Sequence, residues 1–117
     1  MDEQIGPTDF LEIAKELTKQ KNYAGAYAQL VRASFSSPKD PDILVGLAFT
    51  LERLGRFEAC EKQWSHIRRI APRHYTGPHQ LRHAASLVAV GAFDEARTIL
   101  LSLDPRVQDN GEKWDLV

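Results

Sequence analysis

The stretch PDILVGLAFTLERLGRFEACEKQWSHIRRIAP, Pro41 to Pro72, decides the fold. Leu44, Leu47, Ala48 and Leu51 recur at spacings of three and four, one stripe of a helix. After the turn Leu54-Gly55-Arg56-Phe57 a second stripe follows: Phe57, Cys60, Trp64, Ile67 and Ile70. Bulky Leu47, Leu51, Trp64 and Ile67 are expected to lock the two helices together, with Ala48 and Cys60 small where the backbones approach. Pro72 ends the second helix, because it lacks an N–H and clashes with the preceding turn.

Large, large, small and large residues, a Gly turn, then an aromatic, a small residue, an aromatic and a closing Pro make a unit of about 34 residues that resembles the tetratricopeptide repeat. Leu44, Leu47, Ala48, Leu51, Gly55, Phe57, Cys60, Trp64, Ile67 and Pro72 stand at the matching places. Leu44 replaces the usual first aromatic and Cys60 the usual Ala, and both keep the packing role. The resemblance implies an all-α chain, a right-handed α-solenoid of three antiparallel helix pairs with a short C-terminal cap or tail.

The neighbouring segments read as imperfect copies. Tyr23 and Pro38 stand 34 positions before Phe57 and Pro72. Phe10, Ile13, Ala14 and Leu17 match the first stripe, and Ala26, Leu30 and Ala33 the second. A helix is expected from about Asp9, with Asp9 and Glu12 as its capping pair. Lys21-Asn22 replaces the Gly turn, and Asn is the residue expected to take the left-handed conformation. Toward the C-terminus, Val90-Gly91-Ala92-Phe93 repeats the turn 36 positions after Gly55, which places about two extra residues in the loop from Arg73 to Pro78. The third copy uses Leu81, Ala84, Leu87 and Val88, then Phe93, Ala96, Ile99, Leu100 and Leu103, and Asp104-Pro105 stops it early. The expected organisation is one domain: repeats at about 7–40, 41–74 and 77–105, and a tail over 106–117. Trp114, Leu116 and Val117 make that tail apolar, so it is expected to fold back as a cap, to self-associate, or to meet another chain.

Composition bounds the function. A hydrophobic fraction of 43% in 117 residues supplies a continuous core. A net charge of −1 argues against a whole-domain magnet for nucleic acid. One cysteine cannot build a disulfide framework. The start, Met-Asp-Glu-Gln-Ile, is acidic rather than signal-like, and no apolar run approaches the roughly 20 residues of a membrane span. A cytoplasmic protein without membrane insertion is expected.

In the family, the concave groove is lined by the first helix of each repeat. Carried over position by position, the resemblance implies a partner-binding groove that includes Leu11, Lys15, Val45, Phe49, Arg53, Leu81, Arg82 and Ala85. Its apolar centre with charges at the rim suits an apolar side chain or amphipathic helix of a protein partner. Chaperone-binding members grip a terminal carboxylate with Lys and Asn, then Asn, then Lys and Arg. The corresponding positions are Leu11, Lys15, Gly46, Pro78 and Arg82, of which only Arg82 fits, so a heat-shock-chaperone adaptor is not expected.

Lys62 to His83 holds five Lys or Arg and all four histidines with no acidic residue. Arg68, Arg69, Arg73 and His74 form a candidate anion patch, against the plainer reading of a solvated basic face. No aromatic platform accompanies it, and no nucleic-acid partner is expected. His79 and His83, four apart, are too few for a metal site and read as surface or capping residues. Cys60 reads as a small apolar packing residue. No phosphate loop or nucleophile-base pattern is present, so neither an enzyme nor a cofactor is expected. The expected function is a protein-interaction module, an adaptor, assembly factor or chaperone of the secretion-chaperone kind. The alternative is an N-terminal structural or regulatory region of a larger enzyme or complex.

Overall fold

The computed structural model describes residues 7–103. Among them the chain is all-α: α1 (Pro7–Lys19), α2 (Tyr23–Ser36), α3 (Pro41–Arg53), α4 (Phe57–Ile70), α5 (Gly77–Ala89) and α6 (Phe93–Leu101), with a one-turn 3-10 segment at Pro72–His74. No described residue lies in a strand, and no described helix is long and apolar enough to cross a membrane. Two compact units divide between Arg56 and Phe57. In the first, α1 packs on α2 and α2 on α3; in the second, α4 packs on α5 and α5 on α6. The Asp104-Pro105 stop and the apolar tail with Trp114, Leu116 and Val117 lie outside the described residues.

Helix ends are set by local chemistry. α1, α3 and α5 are each 13 residues long and begin at residues 7, 41 and 77. Proline stands at the first position of α1 and α3 and at the second of α5, where its missing N–H has no bond to make and its fixed φ suits the helix. Asp40 caps α3, its Oδ1 accepting from the Asp42 N–H at 2.9 Å. The helix expected from Asp9 starts at Pro7 instead, so Asp9 sits inside the first turn, beside the positive helix end. Glu12, expected to cap, pairs with Lys15 at 3.5 Å on the exposed surface.

The turns closing α1, α3 and α5 share one hydrogen-bond pattern. The N–H of Asn22 meets the Leu17 carbonyl at 2.8 Å and that of Lys21 meets Thr18 at 2.9 Å. Arg56 to Leu51 and Gly55 to Glu52 repeat it, as do Ala92 to Leu87 and Gly91 to Val88. This is a Schellman closure, whose penultimate residue must be left-handed. Gly55 and Gly91 take φ of 77° and 84°, and Lys21 takes 62°. Asn22, expected in that role, is at φ −90° and caps α2, its Oδ1 accepting from the Gly25 N–H. The short amide is spent on the cap, which Lys cannot make, and Lys21 absorbs the strained conformation.

The apolar stripes bury largely as their spacing demands. Ala26, Leu30 and Ala33 of α2, joined by Ala14, Ile43 and Leu47, form the core of the first unit. In the second, Ala84, Leu87, Ala96 and Ile99 cluster, and Cys60, Trp64 and Ile67 have no exposed surface. Burying a side chain such as Ile67 contributes about 1.5–3 kcal/mol before chain entropy is counted. Three expected core residues are exposed instead: Ile13 at 40%, Phe57 at 36% and Phe93 at 61%. Phe57 and Phe93 are the first residues of α4 and α6. A helical side chain leans back toward its own N-terminus, so at the first position it overhangs the turn rather than the neighbouring helix.

Candidate functional site

Val45, Phe49 and Arg53 are spaced by four on α3 and share one face. Val45 and Phe49 are half-buried and Arg53 is exposed. The Arg53 guanidinium carbon lies 4.9 Å from the Phe49 ring centroid. Tyr23, the first residue of α2, meets the same ring edge-on, at 6.4 Å between centroids and 69° between planes. An edge-on pair is worth about 0.5–1.5 kcal/mol and an exposed cation–π contact about 0.5–1 kcal/mol. Phe49 is therefore held in place while part of its ring stays open.

The other expected groove positions divide. Leu11 packs against the core of the first unit, and Lys15 is engaged with Glu12. In the second unit Leu81 is 4% exposed, so its side chain serves the core and offers no surface to a ligand, whereas Arg82 and Ala85 are half-buried. Gly46 also has a packing reason: a Cβ there would come within 3.1 and 3.2 Å of the two Leu30 methyls. Any larger side chain at this place would press on Leu30. Tyr23 was not among the expected site residues.

Arg68 and Arg69 end α4, and Arg73 and His74 follow in the 3-10 turn; all four are exposed. Arg69 Nη2 donates to His66 Nδ1 at 3.0 Å, and the Arg68 guanidinium carbon lies 5.8 Å from the Tyr75 ring centroid. Cations in the last turn face the negative end of the helix dipole, which accounts for Arg68 and Arg69 without any ligand.

Beneath this surface lies a buried polar cluster. His83 is 1% exposed, so the expectation of a surface or capping histidine is corrected here. Its Nδ1 is 2.6 Å from the Tyr75 hydroxyl and its Nε2 is 3.4 Å from Ser65 Oγ and 3.8 Å from Glu61 Oε2. Burial, and then the charge of Arg68, push the imidazole pKa down to about 4. Burial raises the Tyr75 phenol against the opposing charge of Arg68. Glu61 is raised by burial and next by Glu95. His79 does cap: its Nδ1 donates to the His74 carbonyl at 2.7 Å, and its ring stacks on Trp64 at 5.1 Å. The Trp64 indole N–H is buried and finds no acceptor. Cys60 is a buried free thiol. Among the described residues no group of three or more His, Cys, Asp or Glu is placed to hold a metal ion.

The sequence did carry a signal for His83. The 36-residue offset of the third copy sets it on the position of Leu47, and Ser86 on that of Thr50, and both of those are buried in α3. Thr50 and Ser86 also spend their hydroxyls alike, on backbone carbonyls of their own helices. No family model matches the chain, and no curated protein matches it.

Proposed function

We propose that the chain is a tetratricopeptide-like interaction module, its helix pairs continuing as a right-handed solenoid, that holds a peptide or amphipathic helix of a protein partner on the α3 face. The carrying observation is Phe49: a half-buried ring, fixed from one side by Tyr23 and flanked by Arg53, with Val45 one turn before it. Fixed aromatic anchors bordered by charge are what short helical segments seat against, because little side-chain entropy remains to be lost on binding. The recurrence of helix starts at offsets of 34 and 36 supports the repeat assignment. On this reading the protein acts by binding, as adaptor, assembly factor or chaperone in the cytoplasm, and no chemistry is assigned to it.

The experiment is a paired affinity capture from source-cell lysate with the wild type and Phe49→Glu, both first shown to be helical by circular dichroism. A protein retained by the wild type alone, whose purified segment then shifts the amide resonances of Val45, Phe49 and Arg53, is the expected result. Identical retention by both proteins would overturn it.

A further inference from the structure

His83 is held by three residues at once. Tyr75, just after the 3-10 turn, approaches Nδ1, and Ser65 and Glu61 of α4 approach Nε2 from the other side. With a neutral ring one arrangement of hydrogens suits every neighbour. The Tyr75 hydroxyl donates to Nδ1, and the Nε2 hydrogen faces Ser65 Oγ and Glu61; this tautomer is assigned from the network.

A second proton, on Nδ1, sets two donors against each other over 2.6 Å. The phenol must then turn its hydrogen away from its partner inside a buried site, Tyr75 being only 9% exposed. The new charge is also opposed by Arg68, which lies against the Tyr75 ring. Glu61 is the carboxylate against the ring, and it is itself drawn toward its neutral form by burial and by Glu95 and Glu58, with Lys62 and Arg68 opposing. α6, packed on α5, carries Asp94, Glu95 and Arg97, and α5 itself carries His79 and Arg82.

We propose that His83 is an acid-operated latch: protonation breaks its bond to Tyr75 and loosens the turn at 71–76 from α5, together with the start of that helix. Besides the buried Tyr75–His83 bond, the turn is tied to α5 through His79 to the His74 carbonyl and Gln80 Nε2 to the Tyr75 carbonyl at 3.2 Å. The turn meets α4 through Arg68 over the Tyr75 ring, and the start of α5 meets it through the Trp64–His79 stack. All four histidines fall between residues 66 and 83, so α1 to α3 contain no counterpart.

An imidazole at about 4 when latched and 6.5 when open raises the open-to-closed ratio about 20-fold between pH 7 and pH 5. The test is amide exchange by NMR, corrected for intrinsic rates, together with the His83 Cε1 proton resonance. Protection over 75–83 should fall about 20-fold from pH 7 to 5 while α2 and α3 change by less than about 3-fold. His83→Gln should flatten that response. Tyr75→Phe, which loses the donor to Nδ1 but keeps the ring, should move the midpoint to higher pH. An equal acid response in His83→Gln would overturn the latch. If that variant does not fold, an unmoved midpoint in Tyr75→Phe would overturn it, as would a wild-type His83 resonance titrating near 6.5 with no change in the turn.

Discussion

Gly46→Ala tests how closely α3 approaches α2. Replacing a helix-interior glycine with alanine ordinarily gains up to about 1 kcal/mol, since the unfolded chain loses backbone freedom. At Gly46 the new methyl would lie 3.1 Å from Leu30 Cδ1, 3.2 Å from Cδ2 and 3.7 Å from Cγ. Both branches of the leucine are touched, so turning one away does not clear the other. Leu30 is 3% exposed and belongs to the cluster of Ala14, Ala26, Ala33, Ile43 and Leu47, whose close packing resists the few tenths of an ångström required. Overpacking of this kind costs about 1–3 kcal/mol, which outweighs the propensity gain and leaves a net loss of about 1 kcal/mol. Urea unfolding followed at 222 nm reads this as a lower midpoint with an unchanged slope. The double variant Gly46→Ala with Leu30→Val should recover part of the loss, with a coupling of about 0.5–1 kcal/mol in the mutant cycle. A single variant as stable as the wild type, or more so, with no coupling to Leu30, would refute the close approach.

Phe49→Glu removes the Tyr23 and Arg53 contacts and gains only an exposed pair with Arg53, so it should cost about 1–2 kcal/mol and leave a folded, helical chain; loss of the whole helical signal would make Phe49 a core residue. Asn22→Ala deprives the Gly25 N–H of its acceptor and should lower stability by about 1 kcal/mol in a denaturant titration. Lys21→Gly relieves a left-handed lysine and should be neutral or stabilising by up to about 1 kcal/mol, where a clear loss would mean the turn tolerates Lys without strain. The folded chain resists protonation of His83, so the unfolded chain takes the proton first. Stability is then full above pH 6.5 and declines as pH falls toward 4, by about 3 kcal/mol from this group. Glu61, held above its ordinary range, acts in the opposite sense and returns part of that loss on acidification. Urea midpoints of wild type and His83→Gln between pH 7 and 4 measure the difference, and parallel curves would contradict it.

The helices were legible in the sequence because their signals are local. Prolines stand at or beside the starts of α3 and α5, glycines mark the turns at 55 and 91, and the three-and-four spacing of Cys60, Trp64 and Ile67 gives the buried side of α4, while α1, expected from Asp9, begins two residues earlier at Pro7. What was misread depends on position within a helix or on competition between neighbours. Phe57 and Phe93 carry the core type at places where the backbone aims them outward. Asn22 is fit for two roles, and only the need for a cap decides between them. At His83 residue type points to the surface and register, Leu47's place, points to the interior, and register prevails. Of the expected site, Val45, Phe49 and Arg53 share a face because four-residue spacing guarantees it. Leu81 is drawn inward because α5 buries residues on both sides of one stripe, Leu81 with Ala84 and His83 with Ser86 and Leu87.

The Schellman closures at 17–22, 51–56 and 87–92 use only hydrogen bonds that span six residues or fewer. Each turn can thus form before any distant part of the chain arrives, and the pairs α1–α2 and α5–α6, joined by the first and third, can zip together with little loop entropy to overcome. During synthesis, α1 and α2 are complete once Ser36 has left the ribosome, and Ala14 can meet Ala26 and Leu30 while α4 is still being made. Within each unit, order of appearance and order of packing coincide, a folding route written in the spacing of its tight turns.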